Sequence, residues 1–210
     1  MEQSRFRILV GTMAVIAGIV GVPAMSGCSA QGTPSTHSAS SQSAQPDAGE
    51  HNSADLMFVQ MMIPHHLQAI ELTELVPGRS TDPAVVNLAA RIAGEQQPEV
   101  ALMQAKLTRW GVAPVTAADG HSDHAAGHGA MAMPGLVDAA TLDRLRALKG
   151  RDFDTLWLQS MTAHHDGAIE MARTEIADGS NPEMISLAKS IISAQQAEID
   201  QMKELLGGLR

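Results

Sequence analysis

A duplicated segment constrains this chain more than any other feature of its sequence. Residues 55–107 align without a gap with residues 154–206, at an offset of 99 residues, and 17 of the 53 aligned positions are identical. The strongest match reads DLMFVQMMIPHHLQAIE in the first copy and DTLWLQSMTAHHDGAIE in the second, so each copy contains two adjacent histidines. A repeat of this length indicates two copies of one supersecondary element that pack against each other.

Apolar residues recur at helical spacing in four long runs, and strand signals are nearly absent. The runs cover residues 55–76, 83–110, 153–177 and 182–209. Pro83 and Pro182 each follow a capping residue, which marks a helix start. Because short connections favour antiparallel neighbours, the sequence predicts an all-α fold in which two duplicated helical hairpins form an up-down four-helix bundle.

Two further features modify this prediction. A shorter amphipathic run over residues 137–149 predicts a short helix that leads into the second copy. Pro64 and Pro98 fall inside helical runs, where proline removes a backbone hydrogen bond, and local kinks are expected there.

The N-terminal residues are expected to lie outside the folded domain. Arg5 and Arg7 precede an apolar stretch that ends in small residues before Cys28, which favours a secretory signal over a membrane-spanning anchor. Cys28 is the only cysteine, and its context resembles the lipobox of bacterial lipoproteins, in which such a cysteine is lipidated. Residues 29–53 are rich in small and polar residues and predict a flexible tether. Residues 1–28 are therefore assigned to the lipoprotein signal, and the protein is expected to be exported and anchored to the cell membrane.

The rest of the chain, residues 54–210, is long enough for one globular domain. It divides into repeat one (54–110), a linker (111–136) and repeat two (137–210). Residues 1–27 hold two of the 14 basic and one of the 23 acidic side chains, so their removal leaves a formal charge of about −10. Phosphate contacts need clustered Lys and Arg, and nucleic acid is therefore not an expected partner.

Helical geometry predicts one polar face in the first helix of each copy. That face contains, in order, Asp55, Met62, His65 and His66 in repeat one, and Asp154, Met161, His164 and His165 in repeat two. Glu71 and Glu170 point away from it and are poor candidates for binding the same ion. The second helix of each copy adds an apolar stripe that is interrupted by Gln96, Glu99 and Met103, and by Gln195, Glu198 and Met202.

Such polar density in a bundle interior needs an explanation, because unpaired buried polar groups cost several kcal/mol. One interpretation is that the histidines bond to the Asp and Glu side chains while Met fills gaps. The duplicated Met-x-x-His-His pattern favours a metal instead, since residues three or four apart share a helix face and imidazole is a common ligand. Thioether sulfur selects copper(I) over zinc and hard cations. The candidate ligands are Met62, His65, His66, Met161, His164 and His165.

The linker contains a second candidate metal segment, HSDHAAGHGAMAM. A flexible tract with this composition is typical of metal capture. The alternative is a polar low-complexity loop in which the histidines are coincidental. The residues concerned are His121, His124, His128, Met131 and Met133.

These motifs also carry a family resemblance. The segments FVQMMIPHHLQAIEL and LWLQSMTAHHDGAIEMA, each followed by A-x-x-I-x-x-x-Q-Q-x-E-[VI]-x-x-M, resemble the bacterial family called domain of unknown function 305. The resemblance covers nearly all of residues 54–210 and implies a ferritin-like bundle, export and, for some members, copper handling. Gly167 matches the family motif, whereas the first copy has Gln68 at that position, so the two sites are not expected to be equivalent.

The leading hypothesis is a lipid-anchored, extracytoplasmic protein that sequesters or transfers copper without catalytic turnover. Ligands without thiols suit an oxidising compartment. One alternative is a ferritin-like oxidoreductase with two iron or manganese ions. Its usual Glu-x-x-His motif is missing, and only Glu99 and Glu198 could supply inward carboxylates. The other alternative is a metal-free structural or signalling module whose polar core fixes helix pairing.

Overall fold

The computed structural model describes residues 50–117 and 133–209, which fold into five α-helices. They are α1 (Ser53–Glu74), α2 (Pro83–Arg109), α3 (Ala139–Ala147), α4 (Gly150–Asp178) and α5 (Pro182–Gly208). No strand occurs in these two ranges, which confirms the all-α class. The four long helices and the short α3 lie where the sequence predicts them, to within a few residues at each end.

The duplication is visible in the local structure, because α2 and α5 begin and end at positions 99 residues apart. Both helices start with a proline that follows a capping side chain. Asp82 accepts a hydrogen bond from the Ala84 N–H at 2.8 Å, and Asn181 accepts from the N–H groups of Glu183 and Met184 at 3.1 and 3.0 Å. These bonds satisfy N–H groups that have no partner inside the helix.

Helix α1 begins with a capping box, in which Asn52 and Asp55 bond to each other's backbone N–H. Just before it, the Glu50 carbonyl accepts a hydrogen bond of 2.7 Å from the side chain of Asn181 at the start of α5. The last few residues of the predicted tether, from Glu50 onward, are therefore part of the packed structure.

The helices pack pairwise, α1 with α2 and α4 with α5, and the two pairs are joined by a contact between α1 and α4 and a smaller one between α2 and α5. Trp157 of α4 is fully buried in this junction and donates a hydrogen bond of 2.8 Å from Nε1 to the Leu72 carbonyl of α1. Both histidine pairs lie on α1 and α4. The contact between these two helices therefore determines how the pairs are arranged.

The buried apolar side chains form two clusters. Cluster one includes Leu72, Leu88, Ile92, Phe153, Trp157, Met161 and Met202. Cluster two includes Phe58, Met62, Ile63, Met103, Trp110, Met171 and Met184. All four long helices contribute to both clusters, so each of them connects the two parts of the core.

Helices α1 and α2 continue through Pro64 and Pro98. None of the helices described is both long and apolar enough to cross a membrane. The predicted signal peptide, its Cys28 and the tether up to residue 49 lie outside the described residues.

Candidate metal centre

The two histidine pairs meet in the interior of the domain. All four imidazoles are buried, and none exposes more than 1% of its surface. His65 of α1 and His164 of α4 stack with ring centroids 3.7 Å apart and planes tilted by 38°. The sequence leaves open whether the pairs come together, and the α1–α4 contact brings them together.

The second histidine of each pair, which we call the outer histidine, is bonded to a glutamate of the neighbouring helix. His66 Nε2 lies 2.8 Å from Glu99 Oε2, and His165 Nε2 lies 2.8 Å from Glu198 Oε2. A carboxylate that holds one imidazole nitrogen fixes the orientation of the ring and leaves the other nitrogen for a ligand, as in many metal sites. Both glutamates interrupt the apolar stripe that sequence periodicity predicts on the second helix of each copy.

Several polar atoms in this region have no hydrogen-bond partner within the described parts of the chain. They are Nδ1 of all four histidines, Nε2 of His164, both side-chain polar atoms of Gln96, and Oε1 of Gln195. Gln96 and Gln195 lie one helical turn before Glu99 and Glu198 and are also buried. Since more than about 90% of buried polar groups in proteins are bonded, such a concentration marks a site that is built for something more than packing.

The stacked histidines are neutral at physiological pH. Burial lowers the pKa of His65 to about 3, with a further contribution from the neighbouring His66. Burial also lowers the pKa of His164 well below its usual value, and the adjacent His65 adds to this effect. A neutral imidazole has a free lone pair, which is the form that binds metals.

The two methionines of the predicted ligand sets are fully buried but lie in different apolar clusters. Met62 is in cluster two with Met103, and Met161 is in cluster one with Met202. Helical spacing places each methionine on the face of its histidine pair. The tertiary structure, however, separates the two thioethers into different parts of the core.

The aspartates predicted on the histidine face lie far from the histidines along the helix axis. Asp55 is ten residues before His65, which is about 15 Å along the helix. Its carboxylate accepts backbone hydrogen bonds from Ser180 at 3.0 Å and Asn181 at 2.8 Å. Asp154 occupies the equivalent position of α4. The interpretation in which the histidines bond to acidic groups is thus right for the glutamates and wrong for the aspartates.

Glu71 and Glu170 point away from the histidine pairs, as the sequence predicts. Glu71 forms an ion pair of 2.8 Å with Arg146 on the surface, and Glu170 is exposed. Neither residue contributes to the histidine cluster.

A short segment, Met133–Val137, lies against the cluster, and we call it the strap. The Pro134 carbonyl oxygen lies 3.0 Å from His65 Nε2. Gln68 donates from Nε2 to the Val137 carbonyl at 2.9 Å and accepts from the Val137 N–H at 2.8 Å. Sequence reasoning missed this role of Gln68, whose only signal was its difference from Gly167.

The other residues of the predicted metal-capturing segment, His121, His124, His128 and Met131, lie outside the described residues. Met133 is partly buried at the start of the strap. Across residues 50–117 and 133–209, no three His, Cys, Asp or Glu side chains are arranged to hold a metal ion.

The fold and the site define an all-α domain with a buried histidine cluster at the junction of two repeats. The chain belongs to the family described as Domain of unknown function (DUF305), whose model matches residues 55–206. This confirms the resemblance seen in the sequence. A search of curated proteins finds no significant match.

Solved structures of the family are similar to this chain. A DUF305 protein of Streptomyces coelicolor, described as secreted, is 32% identical with a TM-score of 0.67, and the match covers 75% of this chain and 94% of that one. A DUF305 fragment from Deinococcus radiodurans is 30% identical with a TM-score of 0.64, over 74% and 97% of the two chains. CopM in its Cu(II)-bound form is 32% identical with a TM-score of 0.62, also over 74% and 97%. CopM has further structures in Cu(I)-bound and silver-bound forms.

Proposed function

We propose that this protein binds copper as cargo outside the cytoplasm and sequesters or transfers it without catalytic turnover. The observation that carries this proposal is the cluster of four buried imidazoles whose Nδ1 atoms have no partner in the described structure. Leaving such groups unsatisfied costs about 1–3 kcal/mol each, and a bound cation removes that cost. The likeness to CopM, which has been crystallised with Cu(I) and Cu(II), supports copper as the ion.

The proposed ligands are those of the sequence prediction. His66 and His165 are oriented by their glutamates and would bind through Nδ1. His65 and His164 would separate from their stack to reach the ion, because two nitrogens that bind one ion approach it from different sides. Met62 and Met161 would supply thioethers, which favour copper(I).

The remaining parts of the proposal concern the whole chain. We propose that the two helix pairs are a duplicated hairpin in a ferritin-like bundle, that Cys28 is lipidated, and that residues 29–49, the part of the predicted tether before the packed structure, connect the domain to the extracytoplasmic face of the membrane. The linker residues would form a weaker exchange site, comprising His121, His124, His128, Met131 and Met133. The secreted description of the Streptomyces relative supports the location.

A copper titration of the full chain, purified in detergent, tests the central claim. Copper(I) is titrated against a competing chelator in the wild type and in a variant with all four cluster histidines changed to alanine. We expect the affinity to fall about a hundredfold, and His51→Ala, which removes a histidine outside the cluster, to leave it unchanged. Circular dichroism checks folding, and the double variants His65→Ala/His164→Ala and His66→Ala/His165→Ala replace a quadruple variant that does not fold. Wild-type affinity in the folded variants would overturn the cluster as the copper site.

The same preparation separates the other hypotheses. Stoichiometric iron or manganese with oxygen consumption would favour the dinuclear oxidoreductase, and a protein that binds no metal would favour the structural module. Changing His121, His124 and His128 to alanine is expected to lower the number of ions bound while the tightest affinity is kept. Cys28→Ala is expected to move the protein from the membrane fraction to the soluble fraction.

A further inference from the structure

We propose that the strap is a positioning element of the histidine cluster, held between α1 and α4 by Gln68 and Gly167, and that it selects the nitrogen through which His65 binds its ligand. The binding part of this inference rests on the proposed function. The positioning part is independent of it. Gln68 and Gly167 occupy the same position in the two repeats, 99 residues apart.

Gln68 holds the strap by its backbone. Its side-chain amide pairs with both the N–H and the carbonyl of Val137, at 2.8 and 2.9 Å. Gln68 is 2% exposed, so water does not compete for these bonds. A buried two-point contact of this kind fixes the position and the direction of the strap.

Gly167 leaves space for the strap against α4, because it has no side chain. A Cβ atom at this position would clash with the Pro134 carbonyl and lie 2.9 Å from the Gly135 nitrogen. Gly135 in turn has a φ of +78°, and a Cβ there would lie 2.5 Å from the Ala163 carbonyl oxygen of α4. The strap therefore reaches α4 only because both facing residues are glycines.

The strap has a chemical consequence for His65. A carbonyl oxygen only accepts hydrogen bonds, so the contact of 3.0 Å between Pro134 O and His65 Nε2 requires the proton to be on Nε2. In the neutral ring the lone pair is then on Nδ1, which has no partner in the described structure. His164, its stacking partner, makes no hydrogen bond to the strap. The strap thus makes the two histidines unequal and leaves Nδ1 as the ligand atom of His65.

Gln68 and Gly167, the two residues that hold the strap, differ although they occupy equivalent positions of the repeats. Glutamine in place of Gly167 would collide with Pro134, and glycine in place of Gln68 would leave both backbone groups of Val137 without their partner.

Gly167→Ala tests the inference, with Gly94→Ala as the matched control, because a Cβ at Gly94 meets nothing within 4 Å. Three quantities are measured: hydrogen exchange of the Val137 amide, the His65 tautomer by long-range ¹H–¹⁵N NMR of the metal-free protein, and copper(I) affinity. In Gly167→Ala we expect exchange to accelerate at least tenfold, the Nε2–H tautomer to lose its dominance, and copper(I) affinity to fall about tenfold, as expected for the loss of one buried hydrogen bond. Gly94→Ala is expected to match the wild type in all three.

The possible failures are distinct. If Val137 is freed while the His65 tautomer is unchanged, the strap is only structural and the inference is overturned. If the tautomer changes but the wild type binds no copper, the strap positions His65 and it is the proposed function that fails. Gln68→Ala adds no volume to the groove and carries the same test if Gly167→Ala does not fold.

Discussion

The rings of His65 and His164 stack with centroids 3.7 Å apart although the residues belong to different copies of the repeat. Two neutral imidazoles pack in this way, whereas two charged rings at this distance would repel each other strongly in a buried site. The histidine cluster therefore forms only where the two copies of the repeat pack against each other. Each copy supplies one of the two stacked histidines and one His–Glu pair, and neither copy contains the whole cluster.

The buried histidines predict acid sensitivity of the metal-free protein. In the unfolded chain a histidine takes up its proton near pH 6.5, but burial lowers the pKa of His65 to about 3 and that of His164 in the same direction. Stability should therefore be lost as pH falls below 6.5, by up to about 1.4 kcal/mol per pH unit for each histidine. Urea unfolding at pH 7 and pH 5 measures this loss. The free energy of unfolding should differ less between the two pH values in His164→Gln than in the wild type. An equal difference in both proteins would contradict the prediction.

The two His–Glu pairs are predicted to differ in strength. Glu198→Ala leaves the His165 Nε2–H without an acceptor where the side chains are 0% and 5% exposed, and should cost about 1–3 kcal/mol of stability. Glu99→Ala should cost less, because the Glu99 side chain is 19% exposed and water can replace it. Glu198→Gln keeps an acceptor and serves as the control. Chemical denaturation measures all three variants, and a larger loss for Glu99→Ala would refute the explanation from burial.

The buried acid Glu175 predicts a pH dependence of stability opposite to that of the buried histidines. Glu175 is 1% exposed, and burial, together with the neighbouring Asp55 carboxylate, raises the pKa of Glu175 to about 8. Between pH 4.5 and pH 8 the folded protein keeps a proton that the unfolded chain has lost, so stability should fall as pH rises through this window. Glu175→Gln keeps the size of the side chain and removes the group that titrates.

Unfolding at pH 5, 7 and 9 checks the role of Glu175. The variant should gain stability relative to the wild type as pH rises, by up to about 1.4 kcal/mol per pH unit. Glu170→Gln, an exposed change on the same helix, should follow the wild type. A constant difference between Glu175→Gln and the wild type at all three values would rule out titration of Glu175 as the cause.

The junction between the repeats is predicted to depend on Trp157. Trp157→Phe removes the 2.8 Å bond from Nε1 to the Leu72 carbonyl and leaves a void in a fully buried position, which should cost about 2–3 kcal/mol. Trp110 is also buried, but its Nε1 has no partner in the described structure. Trp110→Phe should therefore cost less. Thermal and urea unfolding measure both variants, and equal losses would show that the hydrogen bond contributes little.

Much of this structure follows from local sequence. The spacing of apolar residues and the prolines after Asp82 and Asn181 predict the four long helices, because helix formation and capping depend on neighbours along the chain. The same periodicity predicts that the histidines face inward and that Glu71 and Glu170 face outward. The family follows from the duplicated motif as well.

Other features depend on contacts between residues far apart in sequence. Asp55 and His65 share a helix face, yet a separation of about 15 Å along the axis gives them different surroundings. Met62 and Met161 both lie beside histidines in sequence, but packing places them in separate clusters. A helical wheel gives directions around one axis and contains no information about which helix is opposite.

The sequence by itself determined the repeat, the helices and the inward face of each histidine pair, since all of these are set by residues within a few turns of each other. Only the tertiary structure decided that His65 stacks on His164, that Glu99 and Glu198 hold the outer histidines, and that Gln68 and Gly167 hold the strap. In the sequence, the last pair is only a mismatch between two copies. It becomes a site because α1 and α4 pack side by side and leave room for one strap between them.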